Sequence, residues 1–450
     1  MNLFRKALAK VRLVAYRARR LWEEVPDTFQ LLDRFYILAG IAFDASNDCQ
    51  RFGWKLYLLV GYFQMLISVV SFVSTFVAMD DAVETIWCAL MVVAQVICLL
   101  KTRLLLCRQK DIADLRKFLD TANYCSGDQV FDEAARSGFR RKTRALIVTV
   151  GLLLVCQQVI CWIPQPQQFR TFYVPPWVGF YFGEGLAFFI QVIYISNFAL
   201  FWVSKIFGCT IVSSVLMIGM NSEQVILVHH YERIAERMED LRDNYFDNEQ
   251  TKQQYWNLLM KLIKTITEQQ GVILSKISKL QSMVEPLFFY VYYFDLVAIG
   301  STFFIVFSEQ FSFMHIVIAT TVVVISLECY VLCSLIESLK DTFDTISGHV
   351  CDLCSQLPYS ADYRREYFEM RTTLVTIALC SQNIVQFGCL GISNLSMPVF
   401  TELVNTSYTE NVERDGVQLI FDVATWAGTY VTVTHRKVII EFTLRRRGTF

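Results

Sequence analysis

Three ionisable side chains stand inside long apolar runs: Lys205 in SNFALFWVSKIFGCTIV, Asp295 in FFYVYYFDLVAIG and Glu328 in VVVISLECYVLC. A charge in such a setting pairs with an opposite charge or serves an ion or substrate path. Lys205 can pair with one of the two acids or extend its ammonium to the nearer membrane–water boundary; Glu184 is expected at the outer rim. A structural ion pair and a role in conduction both remain open. His349-x-Cys351-x-x-Cys354 has metal-binding residue types, but no second Cys/His pair stands near it, so no metal is expected. There is no nucleophile elbow, phosphate-cradling glycine loop or HExxH motif. The available chemistry is binding and gating; no enzyme and no cofactor are expected.

The elements that must position these residues are membrane helices. The chain is 450 residues long, 54% hydrophobic and only 18% charged, below the roughly one quarter of a soluble protein. Its apolar runs define an all-α polytopic membrane protein. Spans are expected at about 56–79, 86–106, 145–163, 185–228, 286–307 and 313–336, with a last one near the C-terminus. The fourth is longer than a bilayer requires and should project into water. Cysteines lie scattered in the apolar runs and read as small packing residues, not as a disulfide framework. The basic, amphipathic N-terminus has no apolar core before a small-residue cleavage site, so no cleaved signal is expected.

Basic residues fix the orientation. Residues 1–55, 101–144, 221–282 and 339–371 hold 10, 11, 8 and 4 Lys/Arg, whereas the other three connections hold only Arg170. Positive charge marks the cytoplasmic side, so seven spans run from a cytoplasmic N-terminus to an extracellular C-terminus. The expected organisation is cytoplasmic N-terminal or re-entrant helices (1–55), helices one to four (56–228), cytoplasmic amphipathic helices (229–282), helices five and six (283–338), an anchor helix (339–392), a pore helix (393–408) and an atypical tail (409–450). The last helix is broken, because Gly388, Gly391 and Ser393-Asn394 interrupt its apolar pattern. Such a break survives in a membrane where protein or water satisfies the freed backbone. It therefore marks the working part of a channel or transporter, or a kinked last helix.

Leu357–Tyr408 resembles the C-terminal signature of insect odorant receptors, through Pro358 and Tyr359, then Gln382, Gly388, Leu395, Ser396, Phe400, Leu403, Thr406, Ser407 and Tyr408. YVPPW at 173–177 is similar to that family's Pro-aromatic extracellular loop, and Gln191, Gln224 and Leu227 fall where its long fourth helix carries similar residues. The resemblance covers about residues 30–408. It implies an odorant-tuned subunit of a heterotetrameric cation channel in the plasma membrane of sensory dendrites, assembled with the odorant receptor co-receptor. It also implies a pore lined by the last helix and a cytoplasmic intersubunit anchor. A gustatory-type homotetrameric channel, and a non-channel transporter or receptor, are the alternatives. The tail departs from the family: Glu410, Glu413, Arg414 and Asp415 arrive where the outer pore should continue. An alternative or mis-joined last exon, or a charged outer vestibule, would account for it.

A volatile apolar ligand needs an aromatic pocket with few polar groups. The outer halves of spans two, three, four and six nominate Trp87, Met91, Gln158, Trp162, Tyr194, Phe198, His315 and Ile316; ordinary packing is the other reading of each. Val399, Leu403, Thr406 and Ser407 are expected at the pore or gate, and Arg364, Arg365, Glu369 and Arg371 in the subunit anchor. Besides the co-receptor, membrane lipid and a small volatile ligand are the expected partners, with no nucleic acid.

Overall fold

A computed structural model describes residues 28–41, 47–78, 82–121, 125–162, 176–243, 249–308, 313–384, 387–388, 395–403 and 405. Eleven helices are named here: α1 (Thr28–Leu38), α2 (Asp48–Ala78), α3 (Ala82–Cys107), α4 (Gln109–Thr121), α5 (Gln129–Trp162), α6 (Pro176–Phe182), α7 (Glu184–Phe198), α8 (Ser204–Asp243), α9 (Glu249–Ser308), α10 (Phe313–Ser355) and α11 (Arg364–Ile384). A π-helical turn, Ala199–Val203, joins α7 to α8. The described chain is helical, and six of its helical stretches are long and apolar enough to cross a membrane. Much of the expected last span, and the whole tail from 406 to 450, lies outside the described residues.

Three helices are longer than the apolar windows that announce them. Glu184–Arg242 is a 59-residue stretch, ~90 Å at 1.5 Å per residue against a ~30 Å hydrocarbon core. The long fourth helix therefore projects well beyond a bilayer. α9 runs 60 residues without interruption through Pro286, so residues 249–282 of the expected polar segment and the fifth span are one helix, while 229–243 continue α8. α10 likewise continues to Ser355. Stacked turns keep the backbone paired on both sides of the membrane boundary, except where Pro286 leaves the Ser282 carbonyl without its intrahelical donor, so polarity can change without ending the helix.

α8 is the central element and touches α10, α9, α5, α3, α1 and α4. Its Val212, Val215, Leu216, Met217 and Met220 are fully enclosed. On α9 the buried stripe Ile263, Ile266, Ile273, Ile277, Leu280, Val284, Leu287 and Val291 keeps helical spacing. Outside the membrane, burying each such side chain contributes about 1.5–3 kcal/mol; inside it, close packing of the side chains holds the helices together. Conversely, Leu59, Phe63, Leu66 and Phe76 on α2 stay exposed, as a lipid-facing surface requires.

Local chemistry sets two boundaries. α5 starts where the Asp128 carboxylate accepts the backbone N–H groups of Val130 and Phe131, at 3.0 and 3.2 Å, which satisfies donors that the first turn leaves unpaired. α11 ends at Ile384, before the expected glycine break. There the Gly388 N–H donates to Glu285 Oε1 at 3.1 Å and the Leu395 N–H donates to the Phe387 carbonyl at 2.8 Å. Glu285 of α9 thus satisfies one backbone group that the broken helix frees.

Candidate functional site

Of the nominated residues, Tyr194 meets a serine of the first span, and Gln158 bonds the carbonyl of the residue after it. Ser68 and Gln64 lie one turn apart on α2, both buried. The Ser68 Oγ lies 3.1 Å from the Tyr194 hydroxyl and accepts from Gln95 Nε2 at 3.0 Å. Gln64 Nε2 donates to the Tyr194 carbonyl at 2.9 Å, and Gln158 Nε2 donates to the Ile195 carbonyl at 2.8 Å. One small polar cluster thereby ties α2, α3 and α7, and α5 joins it one residue away. Tyr194 and Phe198 pack with ring centroids 5.5 Å apart. Trp87, Met91 and Gln95 recur every fourth residue, so they share one face of α3; Trp87 is buried and Met91 half-buried.

The cluster is incompletely satisfied. Oε1 of Gln64, Gln95 and Gln158, and the Trp87 indole N–H, are buried with no hydrogen-bond partner among the described residues. A buried polar group left unpaired costs about 1–3 kcal/mol, so these four atoms are the strained polar points of this region. Trp162 stands apart, 51% exposed at the end of α5. His315 and Ile316 lie in α10, with side chains outside the described ones. Gln64, Ser68 and Gln95 were missed from sequence; their signal was polar residues one turn apart in otherwise apolar helices.

The buried charges pair differently from the expectation. Glu328 is bonded by Lys101 and by the Thr210 hydroxyl, all buried. Lys205, for which an acid partner and the membrane–water boundary were the two expectations, lies over the Phe201 ring, 4.1 Å from its centroid, with Trp202 and Tyr62 at 5.9 and 6.0 Å. Ring faces attract a cation through their quadrupole. Phe201 reaches this position within the π-turn, and a β-carbon on Gly61 of α2 would stand 2.3 Å from its ring; only glycine admits the crossing. Asp295 is fully buried with neither oxygen bonded among the described residues, within electrostatic range of Glu328 and Lys101.

Past the break, Met397–Leu403 is helical. Val399 and Leu403 turn into the chain's own core, while Pro398, Thr401 and Glu402 are exposed. Phe400 packs edge-on against Tyr330 of α10, centroids 5.7 Å apart. Thr406 and Ser407 lie outside the described residues.

α11 has two faces. Met370, Leu374, Ile377 and Ser381 are buried against α10 and α9, and a chain of hydrogen bonds runs from Tyr231 through Gln270 to Ser381 at 2.7 and 2.8 Å. Phe368, Val375 and Leu379 are exposed on the opposite side, as are Arg364, Arg365, Glu369 and Arg371. Arg371 donates to the Tyr367 hydroxyl at 3.1 Å.

No protein family and no curated protein matches this sequence. Among solved structures, the insect olfactory receptor OR5 from Machilis hrabei is similar over 88% of this chain and 98% of its own, with 12% identity and a TM-score of 0.60. The same receptor in complex with eugenol is similar over 86% and 98%, with 12% identity and a TM-score of 0.56. The chain therefore has the fold of an insect olfactory receptor.

Proposed function

We propose that the chain is the odorant-binding subunit of a ligand-gated, non-selective cation channel, assembled with the odorant receptor co-receptor in the plasma membrane with its N-terminus in the cytoplasm. The olfactory-receptor fold supports this reading, and so does the unsatisfied polar cluster around Ser68. The ligand is a small, largely apolar molecule that takes up the free acceptor oxygens of Gln64 and Gln95 with a hydroxyl, its body lying along Trp87, Met91 and Phe198. The eugenol-bound form of the similar receptor is consistent with a ligand of this kind.

Subunit contacts use the exposed face of α11, where Phe368, Val375 and Leu379 stand among Arg364, Arg365, Glu369 and Arg371. The last helix contributes Thr401 and Glu402 to the lumen, since Val399 and Leu403 are occupied by internal packing. Binding opens the pore only through a higher affinity for the open arrangement. The test is current recorded from cells expressing the chain with and without the co-receptor, against a panel of volatiles. Odorant-evoked current only with the co-receptor is expected. Current from the chain alone would indicate a homotetramer, and flux without channel current would overturn the channel reading.

A further inference from the structure

The face of α5 turned away from the bundle has a basic start and an apolar continuation. Arg141, Ala145, Val148, Leu152, Val155 and Val159 recur at alternating four- and three-residue steps, which is one stripe of a helix. All of them are exposed except the half-buried Val148. At the basic end lies an open surface patch formed by α5 alone, with Ser137, Arg140, Arg141, Arg144, Ala145, Val148 and Thr149 on it.

Charge at this site is concentrated and one-signed. Arg136, one turn earlier, is committed to Glu223 of α8 at 3.3 Å. Arg140, Arg141 and Lys142 are exposed and form no ion pair among the described residues. No acidic residue occurs between Glu133 and Glu184. Two exposed guanidinium groups on adjacent positions, Arg140 and Arg141, suit a ligand with several phosphate oxygens, because each planar fork binds such oxygens in pairs. From Arg141 to Leu152 the stripe rises ~16 Å, about the depth of one hydrocarbon leaflet.

We propose that this site binds the headgroup of a phosphorylated phosphatidylinositol, with the acyl chains lying along Ala145–Val159. The proposal rests on the cytoplasmic placement of residues 101–144, the side where anionic lipids concentrate. It does not depend on odorant binding.

The experiment uses the full chain in phosphatidylcholine nanodiscs carrying a fluorescent phosphatidylinositol bisphosphate, without odorant. Neutralising two surface cations, Arg140→Gln with Arg141→Gln, is expected to weaken lipid binding about 25-fold, about fivefold per cation. Arg140→Lys with Arg141→Lys keeps the charge and is expected to fall between. Lys261→Gln with Lys264→Gln, two exposed lysines of α9, is the control of equal charge and should leave binding nearly unchanged. Equal losses in the arginine and lysine pairs, or equal displacement by phosphatidylserine at matched charge, would show diffuse attraction and overturn the site. Displacement by soluble inositol phosphate as effective as by the lipid would overturn the membrane source. Because current plays no part in the readout, failure here and failure of the channel reading are separable.

Discussion

Lys101 of α3 and Glu328 of α10 form an ion pair in which neither side chain is more than 1% exposed. The Thr210 hydroxyl of α8 bonds the same carboxylate oxygen, and the Cys209 thiol donates to the Lys101 carbonyl at 2.8 Å. Three helices are thus registered at one point in the apolar interior. Removing one member strands a buried charge, which costs about 3–5 kcal/mol, whereas replacing both with apolar residues is often neutral. Lys101→Met is expected to lower the melting midpoint of the solubilised chain sharply, and adding Glu328→Leu should restore most of it. Additive losses in the double variant would contradict the pairing.

The Ser68 cluster predicts ligand-selective effects. Gln95→Met deletes one of the unpartnered amide oxygens proposed to take up the ligand hydroxyl, and a typical hydrogen bond contributes about 1 kcal/mol, or about fivefold in affinity. Dose–response curves should shift by about that factor for hydroxyl-bearing odorants and much less for hydrocarbons of the same shape. Equal shifts for both classes would mean that the glutamine serves packing alone.

Gly61 and Phe201 set the spacing between α2 and the π-turn. Gly61→Ala places a methyl against a ring that has no room to move, and overpacking of this kind costs about 1–3 kcal/mol. Surface expression and thermal stability should both fall. Adding Phe201→Leu should relieve the clash, while a double variant no better than Gly61→Ala would remove Phe201 as the cause.

Glu402 lies on the exposed face of the last helix, whereas Leu403 beside it is buried. If that face borders the lumen, Glu402→Gln should lower cation-over-anion permeability in co-receptor channels, because acidic rings favour cations. Leu403→Ser should mainly reduce folding and surface delivery. Reversal potentials under ion substitution, read beside surface labelling, separate the two effects.

Asp114 of α4 accepts from Lys276 at 2.8 Å and from Lys279, both on α9. These hydrogen bonds hold its pKa down at about 2. A carboxylate with a depressed folded pKa stabilises above its unfolded value, about 3.9, and that contribution disappears as pH falls toward 2. The exposed setting keeps it within about 0–1 kcal/mol. Hydrogen-exchange protection in α4, relative to the intrinsic rate at each pH, should therefore fall between pH 4 and about 2 in the parent chain, and Asp114→Asn should flatten that limb. An unchanged limb in the variant would assign the acid response elsewhere.

Much of this architecture was readable in one dimension. Hydropathy placed the long apolar stretches, and the apolar periodicity of the fourth span announced a helix longer than any bilayer. The glycine-rich interruption announced the broken last helix, although the helix ends at Ile384, before the first of those glycines. Continuity across Pro286 and through Leu339 was not readable, because polarity changes there while the backbone continues. Among site residues, Tyr194 and Phe198 were nominated as a shared face, but their partner Ser68 stands 126 positions away in chain order. No local pattern carries that distance.

What the residues determined by themselves is composition-level physics: where the six long apolar stretches of the described residues lie, where basic side chains collect, and which segment cannot remain one helix. Each follows from near-neighbour preferences along the chain. Tertiary structure alone decided which cation meets Glu328, why Lys205 rests on aromatic faces, and that Val399 and Leu403 point inward. Those outcomes depend on the rotation and register of packed helices, which are set by the fit of many distant side chains at once.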